Sequence, residues 1–336
     1  MAESMVLGVD LGGTHMRVAL VDEKGVILRL EKTPVNIGRG AEEATRRLID
    51  ACRGLAGEAE ALGGRVLGLG VGVAGKIDRS RGEVVFSPNL PAMNGYALGT
   101  ELQGSLDFPV ILENDANAFG IGESWVGSGR GLTNWIGVTL GTGVGGCLIF
   151  GGELWEGDGL GFAGEIGHMN VDPNGPSCAC GLRGCLEAHA SAGALLRAVD
   201  EAVCGDLATA GPLLELWRMG NLTGEGVHRC AKVGDSLAGE LFRRMGWALG
   251  IALAGLFTVL GIRHAIIGGG VSNGWDEFVE PLESSLAEHC SFLAPEEMVV
   301  VRSALGDHAA LLGAARLAWR MIPESGVNLP GRFPLR

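Results

Sequence analysis

Positive charge is scarce in this chain: 26 lysines and arginines face 39 aspartates and glutamates, a formal net charge of −13. With no basic excess to release counterions, nucleic acid and anionic membranes are excluded as general partners. Long apolar runs are missing too. The longest, over residues 247–260, falls short of a membrane span and is rich in Gly and Ala, as suits a helix buried on a sheet. A strand pattern begins at Met5, leaving no room for a leader peptide ahead of it, so the expected compartment is the cytoplasm. No Pro- or Ser-rich linker and no low-complexity tract interrupts the 336 residues. What is abundant is glycine, 58 residues without a collagen period, in a chain that is 47% apolar and 19% charged. Such a chain is folded, is long enough for two ordinary domains, and uses its glycines for tight turns and close backbone approaches.

Strands and helices alternate in the pattern, which predicts an α/β class. Strands are expected near 5–10, 17–21, 26–30, 67–73, 110–113, 135–140, 146–150 and 265–267. Helices are expected near 41–62, 116–124, 191–203, 236–258, 276–289 and 307–319. Two glycine turns share one template: Gly8-Val9-Asp10-Leu11-Gly12-Gly13-Thr14 and Gly137-Val138-Thr139-Leu140-Gly141-Thr142-Gly143. Each lies between apolar runs and reads as a hairpin whose exposed N–H groups face an anion. A duplicated phosphate turn predicts two similar halves, with the division placed at 1–115 and 116–306 and the last helix, about 307–322, returning to the first half.

Chemistry concentrates in five places. Glu113-Asn114-Asp115-Ala116-Asn117 ends an apolar strand; its Asp115 is either a general base or a helix N-cap. Asp10, beside the first turn, is either a Mg²⁺ partner or a turn-forming aspartate. Cys178, Cys180 and Cys185, with His168 upstream, offer three thiolates and an imidazole, the donor set of a tetrahedral structural zinc. Buried thiols and a redox pair are the rival readings, the latter lacking the two-residue gap. Glu165, His168, Glu187 and Asn89 are polar groups suited to ringing sugar hydroxyls, and Gly268-Gly269-Gly270 would let an adenosine approach backbone, or is a plain strand-to-helix turn.

In order and spacing these motifs resemble the ROK family of repressors and sugar kinases: Asp10 to Thr14, Pro88-Asn89-Leu90, Glu113 to Asn117, Leu140 to Gly146, Glu165 to His168, and Cys178 to Glu187. The resemblance implies two actin-like (ribonuclease H-like) domains around a nucleotide and sugar cleft, in homodimers or homotetramers. It also implies ATP-dependent phosphorylation of a hexose at the 6-hydroxyl, with glucose the favoured acceptor and N-acetylglucosamine, N-acetylmannosamine or fructose the alternatives. Asp115 would be the base. Asn89, Asn114, Asp115, Glu165, His168 and Glu187 would hold the sugar. Gly12, Gly13, Thr14, Gly141, Thr142 and Gly143 would cradle the phosphates with Mg²⁺ near Asp10, and His168, Cys178, Cys180 and Cys185 would hold zinc. The same family contains sugar-responsive repressors, which carry a DNA-binding segment ahead of the first turn; here that turn starts within ten residues of Met1. A sugar-binding protein without turnover is a further alternative. The chain departs from the usual pattern at His15, Ala74 and Ala92-Met93.

Overall fold

A computed structural model describes residues 3–159, 161–205 and 210–322. Two compact units result: one runs to Val126 and resumes at His308, and the other is Gly127–Asp307. Among the described residues the first unit holds strands β1 (Glu3–Leu11), β2 (His15–Val21), β3 (Ile27–Pro34), β4 (Gly64–Val73), β5 (Lys76–Asp78), β6 (Glu83–Phe86) and β7 (Val110–Asn114). Its sheet has the order β3-β2-β1-β4-β7, with β5 and β6 forming a separate small hairpin. Helices α1 (Ala41–Ala61), α2 (Leu98–Ser105) and α3 (Asp115–Val126) belong to the same unit. The second unit holds β8 (Trp135–Leu140), β9 (Val144–Phe150), β10 (Glu153–Leu154), β11 (His264–Gly268) and β12 (Val299–Arg302), in the order β10-β9-β8-β11-β12. Its helices are α4 (Glu187–Ala190), α5 (Ala192–Cys204), α6 (Pro212–Arg218), α7 (Gly224–Lys232), α8 (Ser236–Leu260) and α9 (Trp275–His289). The last helix, α10 (Ala309–Arg320), returns to the first unit.

Period-2 patterning explains how the first sheet is covered. In β4, Leu69, Val71 and Val73 join the core beside α1, where Ala44, Leu48, Leu55 and Ala59 are buried. The alternate positions, Gly68, Gly70 and Gly72, face the other way. A Cβ at Gly70 would overlap the Ala314 carbonyl oxygen of α10, and one at Gly8 would stand 2.5 Å from Leu311 O. This glycine stripe lets a helix of alanines lie directly on the sheet. Helix α3 docks on α10 in the same manner, since a Cβ at Gly122 or Gly313 would overlap backbone of the other helix. The division between units therefore falls after Val126, not after Asp115 as read from the sequence.

In the second unit α8 carries the core, burying Phe242, Met245, Leu249, Leu253 and Phe257 with Ile136, Val138 and Ile267 of the sheet. Asp235 caps its start by accepting the Ala238 N–H, and Gly261 closes its end in the left-handed region at φ 63°. It is long and apolar enough to cross a membrane, but half of its most apolar stretch is buried inside the protein.

Candidate active site

The first glycine turn is the loop of the antiparallel β1–β2 hairpin, whose last pair is Leu11 with Met16. Gly12 N–H donates to His15 O at 3.1 Å. Gly13 is small because Asn89 lies against it: a Cβ there would be 2.8 Å from Asn89 O. Asp10 pairs in register with Arg17, and the Arg17 Nη1 donates to Asp10 Oδ2 at 2.9 Å. The hairpin register contained that pairing, although the motif reading overlooked it.

At the end of β7 the capping role falls to the neighbour of Asp115. Asn114 Oδ1 accepts the N–H groups of Ala116 at 2.9 Å and Asn117 at 3.0 Å, so Asn114 is the N-cap of α3. Its Nδ2 donates to Gly75 O and to Asp115 Oδ1, which uses all four hydrogen-bonding positions of the amide. Sugar binding by Asn114 would require one of these bonds to be given up. Asp115 stands at the first helical position, where a carboxylate is favoured by the helix dipole, and accepts the Ala116 N–H at 2.9 Å. Glu113, two residues before it, is 4% exposed, and the sequence reading assigned it no role.

The second glycine turn closes the β8–β9 hairpin, with Leu140 opposite Val144. It is held from below by the segment that follows the cysteines. Glu187 Oε2 accepts the Val144 N–H at 3.1 Å, and a Cβ at Gly143 would overlap that same oxygen. Ala192 N–H donates to Gly141 O at 2.9 Å. Alongside, parallel β11 ends at Gly268, paired with Thr139. Gly269 turns the chain at φ 85°, where a Cβ would overlap Leu140, and Ser272 closes the turn by donating to Gly269 O. Gly268 to Gly270 thus lie beside the second turn at the carboxyl ends of parallel strands, the usual ligand position in open α/β sheets.

His168, Cys178, Cys180 and Cys185 converge, all four donor atoms lying within 4.8 Å of one another. Cys180 Sγ to Cys185 Sγ is 3.7 Å and Cys178 Sγ to His168 Nδ1 is 3.8 Å. A tetrahedron with metal–sulfur bonds of about 2.3 Å has edges of about 3.8 Å, so the set fits one zinc-sized ion. Burial pushes the Cys185 thiol up to about 12 and the Cys178 thiol upward, while the Leu182 N–H holds Cys180 down. Ligation would therefore release protons. With Nδ1 facing the sulfurs, His168 Nε2 points away, 4.0 Å from Glu165 Oε2. The cluster also reaches the second turn: Cys178 Sγ lies 3.8 Å from Glu187 Oε1.

The ROK family profile matches residues 6–321. The chain belongs to the ROK family. It is 38% identical over 322 residues to a glucokinase of Thermotoga maritima, covering 94% of this chain and 98% of that one. A glucokinase of Streptomyces coelicolor is 33% identical, with 94% and 97% covered. The crystal structure of a ROK family glucokinase from Streptomyces griseus, in complex with glucose and AMPPNP, superposes with a TM-score of 0.79 at 34% identity, covering 94% and 99%. Each of the two α/β units is accordingly of the actin-like class expected from the motifs.

Proposed function

We propose that this ROK protein transfers the γ-phosphoryl group of ATP to the 6-hydroxyl of a hexose, with glucose the preferred acceptor. The observation that carries this reading is Asp115, a carboxylate at the first position of α3, directly after β7, where Asn114 serves as the cap. Likeness to glucokinases over 94% of the chain supports it. Asp115 accepts the hydroxyl proton as the sugar oxygen attacks the γ-phosphorus and ADP departs. The turns Gly12 to Thr14 and Gly141 to Gly143 hold phosphates through backbone N–H groups, and Gly268 to Gly270 admit the nucleoside. Asp10, beside the first turn, would help hold Mg²⁺, which would supply charge neutralisation. Asn89, Glu165, His168 and Glu187 contact sugar hydroxyls; His168, ligating through Nδ1, offers Nε2–H as a donor. His168, Cys178, Cys180 and Cys185 hold a structural zinc. A cytoplasmic homodimer or homotetramer completes the reading. The test is a coupled assay with ATP and a panel of hexoses and amino sugars scored by kcat/KM. Glucose is expected to score highest, and failure to form ADP with every sugar would refute kinase activity.

A further inference from the structure

The carboxylate two residues before the proposed base is itself held by a cation from outside the main sheet. Glu113 Oε1 accepts Asn114 N–H at 2.9 Å and Asn117 Nδ2 at 3.0 Å, tying the end of β7 to the first turn of α3. Its Oε2 accepts Arg79 Nη1 at 2.7 Å. Arg79 sits in the loop of the β5–β6 hairpin and is partly exposed, whereas the Glu113 side chain is 5% exposed. The same hairpin makes a second contact with this loop, because Gly75 O, one residue before β5, accepts Asn114 Nδ2 at 2.9 Å. Gly75 can stand there only as glycine: its φ is 125° and a Cβ would overlap Phe86 O. The hairpin loop and the residue that leads into it thus hold Glu113 and Asn114, the two residues that immediately precede Asp115.

A buried carboxylate without its partner is strongly unfavourable, and the chain would move to bring water or another cation to it. Every such movement shifts Asn114, Asn117 and, between them, Asp115. We propose that Arg79 is a positioning residue for phosphoryl transfer: by compensating Glu113 it fixes the register of the loop that carries Asp115. This rests on Asp115 being the base. It assigns a catalytic consequence to a hairpin that touches neither glycine turn in sequence.

The experiment compares the parent chain with Arg79→Ala, Arg79→Ala/Glu113→Gln and Asp115→Asn in glucose phosphorylation. Arg79→Ala should lower kcat by about 10–100-fold, the cost of a displacement near 1 Å at a reacting group. KM for glucose and for ATP should stay within about threefold, because uniform binding is untouched. The double variant should recover most of kcat, since the neutral amide placed there by Glu113→Gln still accepts from Asn114 and Asn117 with no charge left to compensate. If Arg79→Ala does not fold, the double variant carries the test. A double variant as slow as Arg79→Ala, or below a tenth of the parent rate, overturns the inference, as does an Arg79→Ala enzyme with parental kcat. Parental kcat in Asp115→Asn would remove the base assignment and this inference with it, whereas a dead Asp115→Asn beside a fully active Arg79→Ala removes this inference alone.

Discussion

The two units repeat one sheet plan, an antiparallel hairpin at the centre followed outward by two parallel strands, yet they brace that hairpin with different chemistry. In the first unit the turn spans Gly12 to His15 and rests on a cross-strand ion pair, Asp10 with Arg17, and on the backbone of Asn89. In the second it spans only Gly141 to Gly143 and rests on the Glu187 carboxylate and the Ala192 N–H, both from the strap that leaves Cys185. The outermost parallel strands differ as well. β7 runs into Asn114-Asp115, whereas β12 ends at Arg302 and is followed by Ser303. Similar backbone turns therefore carry unlike side chains, and a carboxylate directly after the outermost parallel strand is present in one copy alone.

Breaking that asymmetry most severely is Asp115→Asn. Loss of a positioned base should reduce kcat by roughly 10²–10⁴-fold while sugar binding, measured by calorimetry, is retained. Near-parental kcat would mean the two units do not differ in the way described. Next in size is the His168, Cys178, Cys180 and Cys185 cluster, which adjoins the second turn through Glu187. Chelation, or Cys180→Ser, should raise the apparent KM for hexose and also for ATP, because Glu187 connects the cluster to Val144 N–H. Metal content and both KM values decide it; metal-depleted protein with unchanged nucleotide KM would separate the cluster from the turn.

Smaller effects probe packing. Gly70→Ala places a methyl group on the Ala314 carbonyl, and overpacking of this kind should cost about 1–3 kcal/mol in chemical denaturation. A neutral result would show that α10 is free to lift from the glycine stripe. Smallest is the effect of His189 in the second unit, 8% exposed with its Nε2 unpartnered among the described residues. Burial, then repulsion from Arg244, lowers its pKa below 6.5, outweighing attraction from Asp172. The unfolded chain takes up a proton that the folded one resists, so its contribution is full above pH 6.5 and is lost as pH falls below it. Thermal melts between pH 7.5 and 5.5 should show a shallower decline in His189→Phe than in the parent.

Much of this was legible beforehand. The hairpins at 5–21 and 135–150 follow from apolar alternation around glycine turns, and their observed pairing matches that reading. The four metal-type donors were recognisable because three cysteines fall within eight residues, with a histidine ten residues upstream. Short elements escaped: β5, β6 and β12 have three or four residues each, too few to show a period of two. The helices α6 and α7 escaped as well, lying in a stretch of weak periodicity of which residues 206–209 are outside the described residues. Arg79 carried no signal toward Glu113, because 34 residues separate them and no motif links the pair.

Local composition by itself determined the longer elements, the two glycine turns, the donor set of the cluster and the resemblance that follows from their order. All of these depend on neighbours within a few residues, where backbone sterics and side-chain period act directly. Tertiary structure alone decided which unit α3 joins, which of Asn114 and Asp115 serves as the cap, and what supports each turn. Those outcomes hang on contacts between segments far apart in the chain, such as Gly122 with Ala309, Gly75 with Asn114 and Glu187 with Val144. A buried charge or a missing Cβ has consequences only for whatever the fold brings against it.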